Sequence, residues 1–86
     1  MRVAPADIEK WRKRLEATKS PSTVLREMAS AYGVRRDDVS FMLLDISKAS
    51  LDELQLVWNW DFSGTGKGFS DADLDKRLEK LTDGTT

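Results

Sequence analysis

Helix start and stop signals recur along this chain and restrict what it can fold into. Ser20-Pro21 is an N-cap residue followed by a proline at the first helical position, where the missing N–H costs nothing. Gly33 supplies a left-handed stop, since glycine has no Cβ to oppose that conformation. Further along, Ser50 and Glu53 form a capping box. Apolar residues recur every three to four positions between these signals, so we expect an all-α fold, a small bundle of about five helices.

The predicted helices follow one another without an internal repeat or a break in composition. They cover residues 6–18, 21–32, 37–48 and 51–60, and a last helix begins after Ser70 and packs through Leu74, Leu78 and Leu81. Residues 1–86 are therefore expected to form a single helical domain. The polar residues 82–86 are predicted to be a frayed tail.

The composition excludes several classes of chemistry. The chain has no cysteine and no histidine, so it offers no disulfide, no thiolate or imidazole catalyst and no metal site built on nitrogen or sulfur ligands. Its acidic residues stand mostly in first helical turns or alternate with basic ones, and no pair indicates the displaced pKa that catalysis uses. We therefore expect a protein that is not an enzyme and that needs no cofactor.

A net charge of −1 conceals an uneven distribution along the chain. Residues 1–36 carry nine Lys and Arg against four Asp and Glu, whereas residues 37–86 carry five against eleven. Either the basic half binds phosphate or an acidic partner, or the two halves attract each other in the folded domain. No apolar run is long enough for a signal peptide or a membrane span, so we expect no membrane contact. The absence of cysteine favours the cytoplasm.

The stretch LREMASAYGVRRDDVSFMLL, residues 25–44, resembles the helix-turn-helix of phage-repressor type. The small contact residue, the turn glycine and the three core residues of that motif match Ala29, Gly33, Val34, Val39 and Met42. In this family the second helix enters the major groove of DNA. The resemblance implies an alternative function, a transcriptional regulator that binds DNA. Its implied contact residues are Arg26, Arg35, Arg36 and Ser40.

Residues 56–74 resemble a degenerate EF-hand. Oxygen-bearing side chains and a turn glycine follow the calcium-loop spacing at Asp61, Ser63, Thr65 and Gly66. Asp73 takes the closing carboxylate position only if Gly68 is counted as an insertion, which breaks the register of the loop. A calcium site is therefore a third alternative, and no metal ligand is assigned.

Two predicted helices carry more apolar surface than one buried face requires. On the fourth helix, the face predicted to be buried holds Leu51, Leu54, Val57 and Trp58. Further apolar residues point away from the buried faces of the third and fourth helices, and they either lie in the centre of the bundle or form an exposed site. We favour a non-catalytic binding protein that acts through protein–protein contact, as an inhibitor or an adaptor, with its oligomeric state left open. Its predicted contact residues are Phe41, Leu44, Leu56 and Trp60.

Overall fold

A computed structural model describes residues 3–81, except for the side chain of Lys80. It confirms the predicted all-α bundle of five helices. These are α1 (Pro5–Ala17), α2 (Pro21–Tyr32), α3 (Arg36–Ile46), α4 (Leu51–Trp58) and α5 (Asp71–Arg77), followed by a 3₁₀ turn, Glu79–Leu81. None of the helices in this described part of the chain has the length and apolar character needed to cross a membrane. The predicted frayed tail, residues 82–86, lies outside the described residues.

The third helix lies at the centre of the bundle. It packs against α1, α2 and α4, while α5 packs across α2 and α4. The predicted inner face of α3 is fully buried and consists of Val39, Met42, Leu43 and Ile46. Around it, the other helices contribute buried residues that include Trp11, Leu15, Val24, Leu25, Met28, Leu54, Val57, Leu74 and Leu78. The bundle is therefore organised around α3.

Both α3 and α4 end earlier than their apolar spacing predicts. α3 ends at Ile46, where Ser47 becomes extended and its hydroxyl donates to a carbonyl of the last helical turn. α4 ends at Trp58, and Asn59 leaves the helical conformation. Trp60 therefore does not follow the helical spacing of α4.

The starts of α2 and α4 are capped in different ways. The predicted capping box of Ser50 and Glu53 is present at α4. Ser20 precedes α2 as predicted, but its side chain does not cap that helix. Instead, the carboxylate of Asp75 accepts the backbone N–H of Ser22 at 2.7 Å and the Ser20 hydroxyl at 2.8 Å. A side chain of α5 thus fixes the start of α2.

The loop between α4 and α5 folds back on itself through a β-bridge between Trp60 and Phe69. The N–H of Asp61 donates to the Phe69 carbonyl, and the N–H of Phe69 donates to the Asn59 carbonyl, each at 2.8 Å. Gly68 has a φ of 98°, and a Cβ at this position would overlap the carbonyl oxygen of Asn59. The glycine that interrupts the calcium-loop spacing is therefore required by the close approach of two backbone segments.

Replacement of Gly68 tests this interpretation of the loop. We expect Gly68→Ala to lower the free energy of unfolding by about 3 kcal/mol or more, because left-handed strain combines with overlap against Asn59. Gly64→Ala is the matched control, since Gly64 has a φ of 74° in open space and its replacement should cost about 1 kcal/mol. Urea denaturation followed by circular dichroism measures both losses. Equal losses in the two variants would contradict the close approach.

Candidate protein-interaction surface

Trp60, one of the four predicted contact residues, belongs to the core. Its side chain is fully buried, so the expectation that it lies on an exposed ridge with Leu56 is wrong. The physical reason is the early end of α4, because beyond Trp58 the chain leaves the helix and Trp60 turns inward. Leu56 is half-buried and packs against the core. Trp60 is not available as an exposed anchor, and Leu56 offers only part of its side chain.

Arg26, Trp60, Phe62 and Asp71 form a group that we call the Arg26 cluster, which joins α2, the loop and α5. The guanidinium donates to both carboxylate oxygens of Asp71, at 3.0 and 2.8 Å. It also donates to the backbone carbonyl of Phe62 at 2.9 Å and lies 4.7 Å from the ring centroid of Trp60. The indole N–H of Trp60 completes the cluster by donating to Asp71 at 2.8 Å. Three separate parts of the chain are thus held by one cation.

Within this cluster, Arg26 and Asp71 shift each other's pKa. Hydrogen bonding from Arg26 lowers the pKa of the Asp71 carboxyl, against an opposing effect of burial. The same hydrogen bond raises the pKa of Arg26. Since the folded pKa of Asp71 lies below its unfolded value of about 4, its stabilising effect is present above that value. The effect is lost as the pH falls through the lower, folded pKa.

The Asp71 carboxylate should therefore make stability depend on pH. We expect Asp71→Asn to lower the free energy of unfolding by about 1 kcal/mol at neutral pH, because the amide loses the charge interaction in a partly exposed pair. The difference in free energy of unfolding between wild type and variant should narrow as the pH falls from neutral through the lowered, folded pKa of Asp71, since the carboxyl then becomes protonated. Urea midpoints over a series of falling pH values measure this, with Asp73→Asn on the same helix as the control. A difference in stability between wild type and variant that does not change with pH would contradict the pairing of Arg26 with Asp71.

Three large apolar side chains are exposed in the described part of the chain, and all three lie on α3 and α4. Phe41 is 43% exposed, Leu51 67% and Trp58 39%. The rings of Phe41 and Trp58 pack edge to face, with their centroids 6.1 Å apart. The indole N–H of Trp58 donates at 2.8 Å to the hydroxyl of Ser40, which is buried. The aromatic pair is therefore exposed and also held in one orientation.

The helical hairpin formed by α3 and α4 carries all three residues, and it brings Phe41 and Trp58 into contact. The two helices run antiparallel, because only residues 47–50 connect them and Arg36, at the start of α3, donates to the Trp60 carbonyl just beyond the end of α4. On α3, Leu44 follows Phe41 by about one turn and is half-buried. On α4, Leu51 precedes Trp58 by two turns. We call Phe41, Leu44, Leu51 and Trp58 the hairpin patch.

Only half of the hairpin patch is predicted from the sequence. Phe41 and Leu44 are among the predicted contact residues, whereas Leu51 and Trp58 are predicted to be buried and are exposed instead. Their spacing of seven residues places both on one stripe of α4, but the buried Leu54 lies only about 40–60° from them around the helix, so no local signal separates them from the core face. Trp58 turns toward α3, where it contacts Ser40 and Phe41.

The helix-turn-helix resemblance implies four DNA-contacting residues. Three of them are buried or form hydrogen bonds to other parts of the domain. Arg26 belongs to the Arg26 cluster, and Ser40 is fully buried. Arg36 donates to the backbone carbonyl of Trp60 at 3.0 Å. Arg35 is exposed at the N-cap position of α3. Two arginines that the resemblance assigns to DNA are thus hydrogen-bonded to the loop between α4 and α5.

The EF-hand-like loop uses Asp61 for its own hydrogen bonds. One carboxylate oxygen accepts the N–H of Thr65 and the other accepts the N–H of Gly66, both at 2.8 Å. These bonds, that of Thr65 first, lower the pKa of Asp61. Among residues 3–81, no three carboxylates are grouped so that they could hold a metal ion. The carboxylate of Asp61 stabilises the turn of the loop.

The chain matches no protein-family model, no curated protein and no solved structure. Its function is therefore inferred from its own surface. Within the hairpin patch, Phe41 and Trp58 are exposed aromatic residues that contact each other, and a hydrogen bond to Ser40 orients Trp58.

Two tryptophans that are close in sequence should respond differently to truncation. We expect Trp60→Ala to lower the free energy of unfolding by about 3–5 kcal/mol, because the indole is fully buried. Trp58→Ala should cost about 1–2 kcal/mol, because its side chain is partly exposed and Ser40 keeps a hydrogen bond to Asp37. Urea denaturation measures both. Trp60→Phe replaces Trp60→Ala in the comparison if the latter does not fold. A larger loss for Trp58 than for Trp60 would contradict these positions.

Proposed function

We propose that this domain is a non-catalytic protein-binding module, an inhibitor or an adaptor, that docks its partner on the hairpin patch. The observation that carries the proposal is the location of the large exposed hydrophobic residues described in the chain. All of them, Phe41, Leu51 and Trp58, lie on this one helical hairpin. Apolar surface gathered in one place is typical of interfaces, and aromatic anchors supply much of their binding energy. The cytoplasm is the compartment we propose, on the sequence argument alone.

The aromatic pair at the end of the hairpin is preorganised for binding. Trp58 is held by its hydrogen bond to Ser40 and by ring contact with Phe41. Immobilising a free side chain at an interface costs roughly 0.5–1.5 kcal/mol, and a side chain that is already fixed avoids much of this cost. We therefore expect a partner to bind without rearrangement of the hairpin.

DNA binding stays an alternative proposal with weaker support. Arg35 is exposed at the start of α3, but Arg26 and Arg36 donate to groups inside the domain. The exposed carboxylate of Asp37 stands beside them and opposes a phosphate. Salt distinguishes the two functions, since phosphate contacts weaken steeply as salt rises whereas an apolar protein interface changes little.

A displayed library of random peptides tests the protein-binding function. Peptides selected on the wild-type domain should lose about tenfold or more in affinity for Phe41→Ser and for Leu51→Ser, because each change removes an anchor. Both residues are exposed, so both variants should keep the wild-type circular dichroism spectrum. Ala31→Ser, at an exposed position of α2, is the matched control and should leave binding unchanged.

Two outcomes of these measurements would count against the proposal. Recovery of no peptide that depends on Phe41 or Leu51 would contradict it. Salt-sensitive binding of duplex DNA that is lost in Arg35→Ala and kept in Phe41→Ser would favour the DNA alternative.

A further inference from the structure

A cleft lies between the start of α3 and the loop that joins α4 to α5. It has a volume of about 550 Å³ and is lined by Arg35, Arg36, Asp37, Phe62 and Ser63. Pockets that bind small molecules have volumes of this order. None of these five lining residues belongs to the hairpin patch, so the cleft is a separate feature of the surface.

The cleft contains hydrogen-bond donors that the fold does not use. Among residues 3–81, the exposed side chain of Arg35 has no hydrogen-bond or ion-pair partner. The hydroxyl of Ser63 has no hydrogen-bond partner in the same part of the chain. Arg36 is held in place beside them, because it donates to the Trp60 carbonyl at 3.0 Å and to the Asp37 carboxylate at 3.4 Å. The cleft therefore offers the guanidinium of Arg35 and the hydroxyl of Ser63 to a ligand.

The charges of the lining residues indicate which ligand suits the cleft. Two positive charges, from Arg35 and Arg36, stand against one negative charge, from Asp37, which leaves a net charge of +1. The neighbouring Asp61 does not line the cleft, and its carboxylate accepts N–H groups within the loop. A monoanion complements this net charge, whereas the second negative charge of a phosphate monoester meets repulsion from Asp37.

An aromatic ring supplies the apolar wall of the cleft. Phe62 is half-buried, and its ring packs edge to face with that of Trp60, with the centroids 5.2 Å apart. The Phe62 carbonyl accepts a hydrogen bond from Arg26 at 2.9 Å, which fixes this part of the loop. A guanidinium binds a carboxylate through two parallel hydrogen bonds. The cleft thus combines a group that binds carboxylates, on α3, with a group that binds apolar surface, on the loop.

We propose that this cleft binds a small organic monoanion, a carboxylate that carries an apolar group. Arg35 binds the carboxylate, Ser63 donates a further hydrogen bond, and Phe62 contacts the apolar group. The site shares no residue with the hairpin patch, so its test is separate from that of the proposed function. The carboxylate belongs either to a free acid or to the C-terminal residue of a peptide, and the two sources are distinguished below.

Titration with phenylacetate, followed by ¹H–¹⁵N correlation spectra at low ionic strength, tests the proposal. We expect saturable shifts of the backbone amides of residues 35–37 and 62–63. Phenylacetamide, which has the same size but no charge, should bind about tenfold more weakly or worse. Arg35→Gln should raise Kd for phenylacetate about five- to tenfold and keep the fold, because Arg35 is exposed. Lys48→Gln, which removes an exposed charge beyond the other end of α3, is the matched control and should leave Kd unchanged.

Two forms of the tripeptide Gly-Gly-Phe distinguish the sources of the carboxylate. Binding of the form with a free C-terminus, lost in the C-terminal amide and weakened by Arg35→Gln, would support the proposal and assign the cleft to a peptide terminus. Binding of phenylacetate without binding of either tripeptide would support the proposal and assign the cleft to a free acid.

Four results would overturn the proposal. Equal affinities for phenylacetate and phenylacetamide would show that the carboxylate is not recognised. Equal effects of Arg35→Gln and Lys48→Gln would attribute binding to the overall charge of the domain. Tighter binding of phenyl phosphate, which carries almost two charges at neutral pH, would contradict the selection of a monoanion. Shifts that do not saturate, or that lie outside the cleft, would show that phenylacetate has no site there.

Discussion

The guanidinium of Arg26 joins α2, α5 and the loop between α4 and α5. It contacts the carboxylate of Asp71 on α5, the loop carbonyl of Phe62 and the ring of Trp60 at once. A buried polar group left without a partner is costly, so the buried indole N–H of Trp60 needs the carboxylate of Asp71 as its acceptor. Trp60 is thereby fixed inside the bundle. Trp58, the last residue of α4, stays partly exposed and contacts Phe41 of α3.

The internal use of arginine also explains part of the charge asymmetry of the chain. Arg26 and Arg36, from the basic half, donate to carbonyls of the loop between α4 and α5, and Arg26 pairs with an aspartate of the acidic half. At these positions the basic and acidic halves of the chain attract and contact each other in the folded domain. Among the described residues, the large apolar side chains that stay exposed are Phe41, Leu51 and Trp58, all on α3 and α4.

Local interactions decide how much of this domain can be predicted from its sequence. The stop at Gly33 and the capping box at Ser50 depend on residues within about one turn, and both are present as predicted. Asp75, which caps α2, lies 53 residues after Ser22 in the chain, so no local sequence pattern predicts this cap. The sequence places Trp60 wrongly for the same reason. Helical spacing predicts that α4 continues to residue 60, whereas tertiary contacts determine its end at Trp58. The helical spacing holds at Phe41, because α3 continues on both sides of it, but that spacing leaves open whether the residue is core or exposed; the structure shows it exposed.

The indole N–H signals of the three tryptophans test most directly whether the hairpin patch is the binding surface. In a ¹H–¹⁵N correlation spectrum each tryptophan gives one side-chain signal, and Trp58 is exposed whereas Trp11 and Trp60 are buried. During titration with a selected peptide, we predict that the Trp58 signal shifts until binding saturates, together with backbone amides of α3 and α4. The signals of Trp11 and Trp60 should stay in place. A Trp58 signal that does not move, with shifts confined to α1 or α5, would contradict the assignment of binding to the hairpin patch.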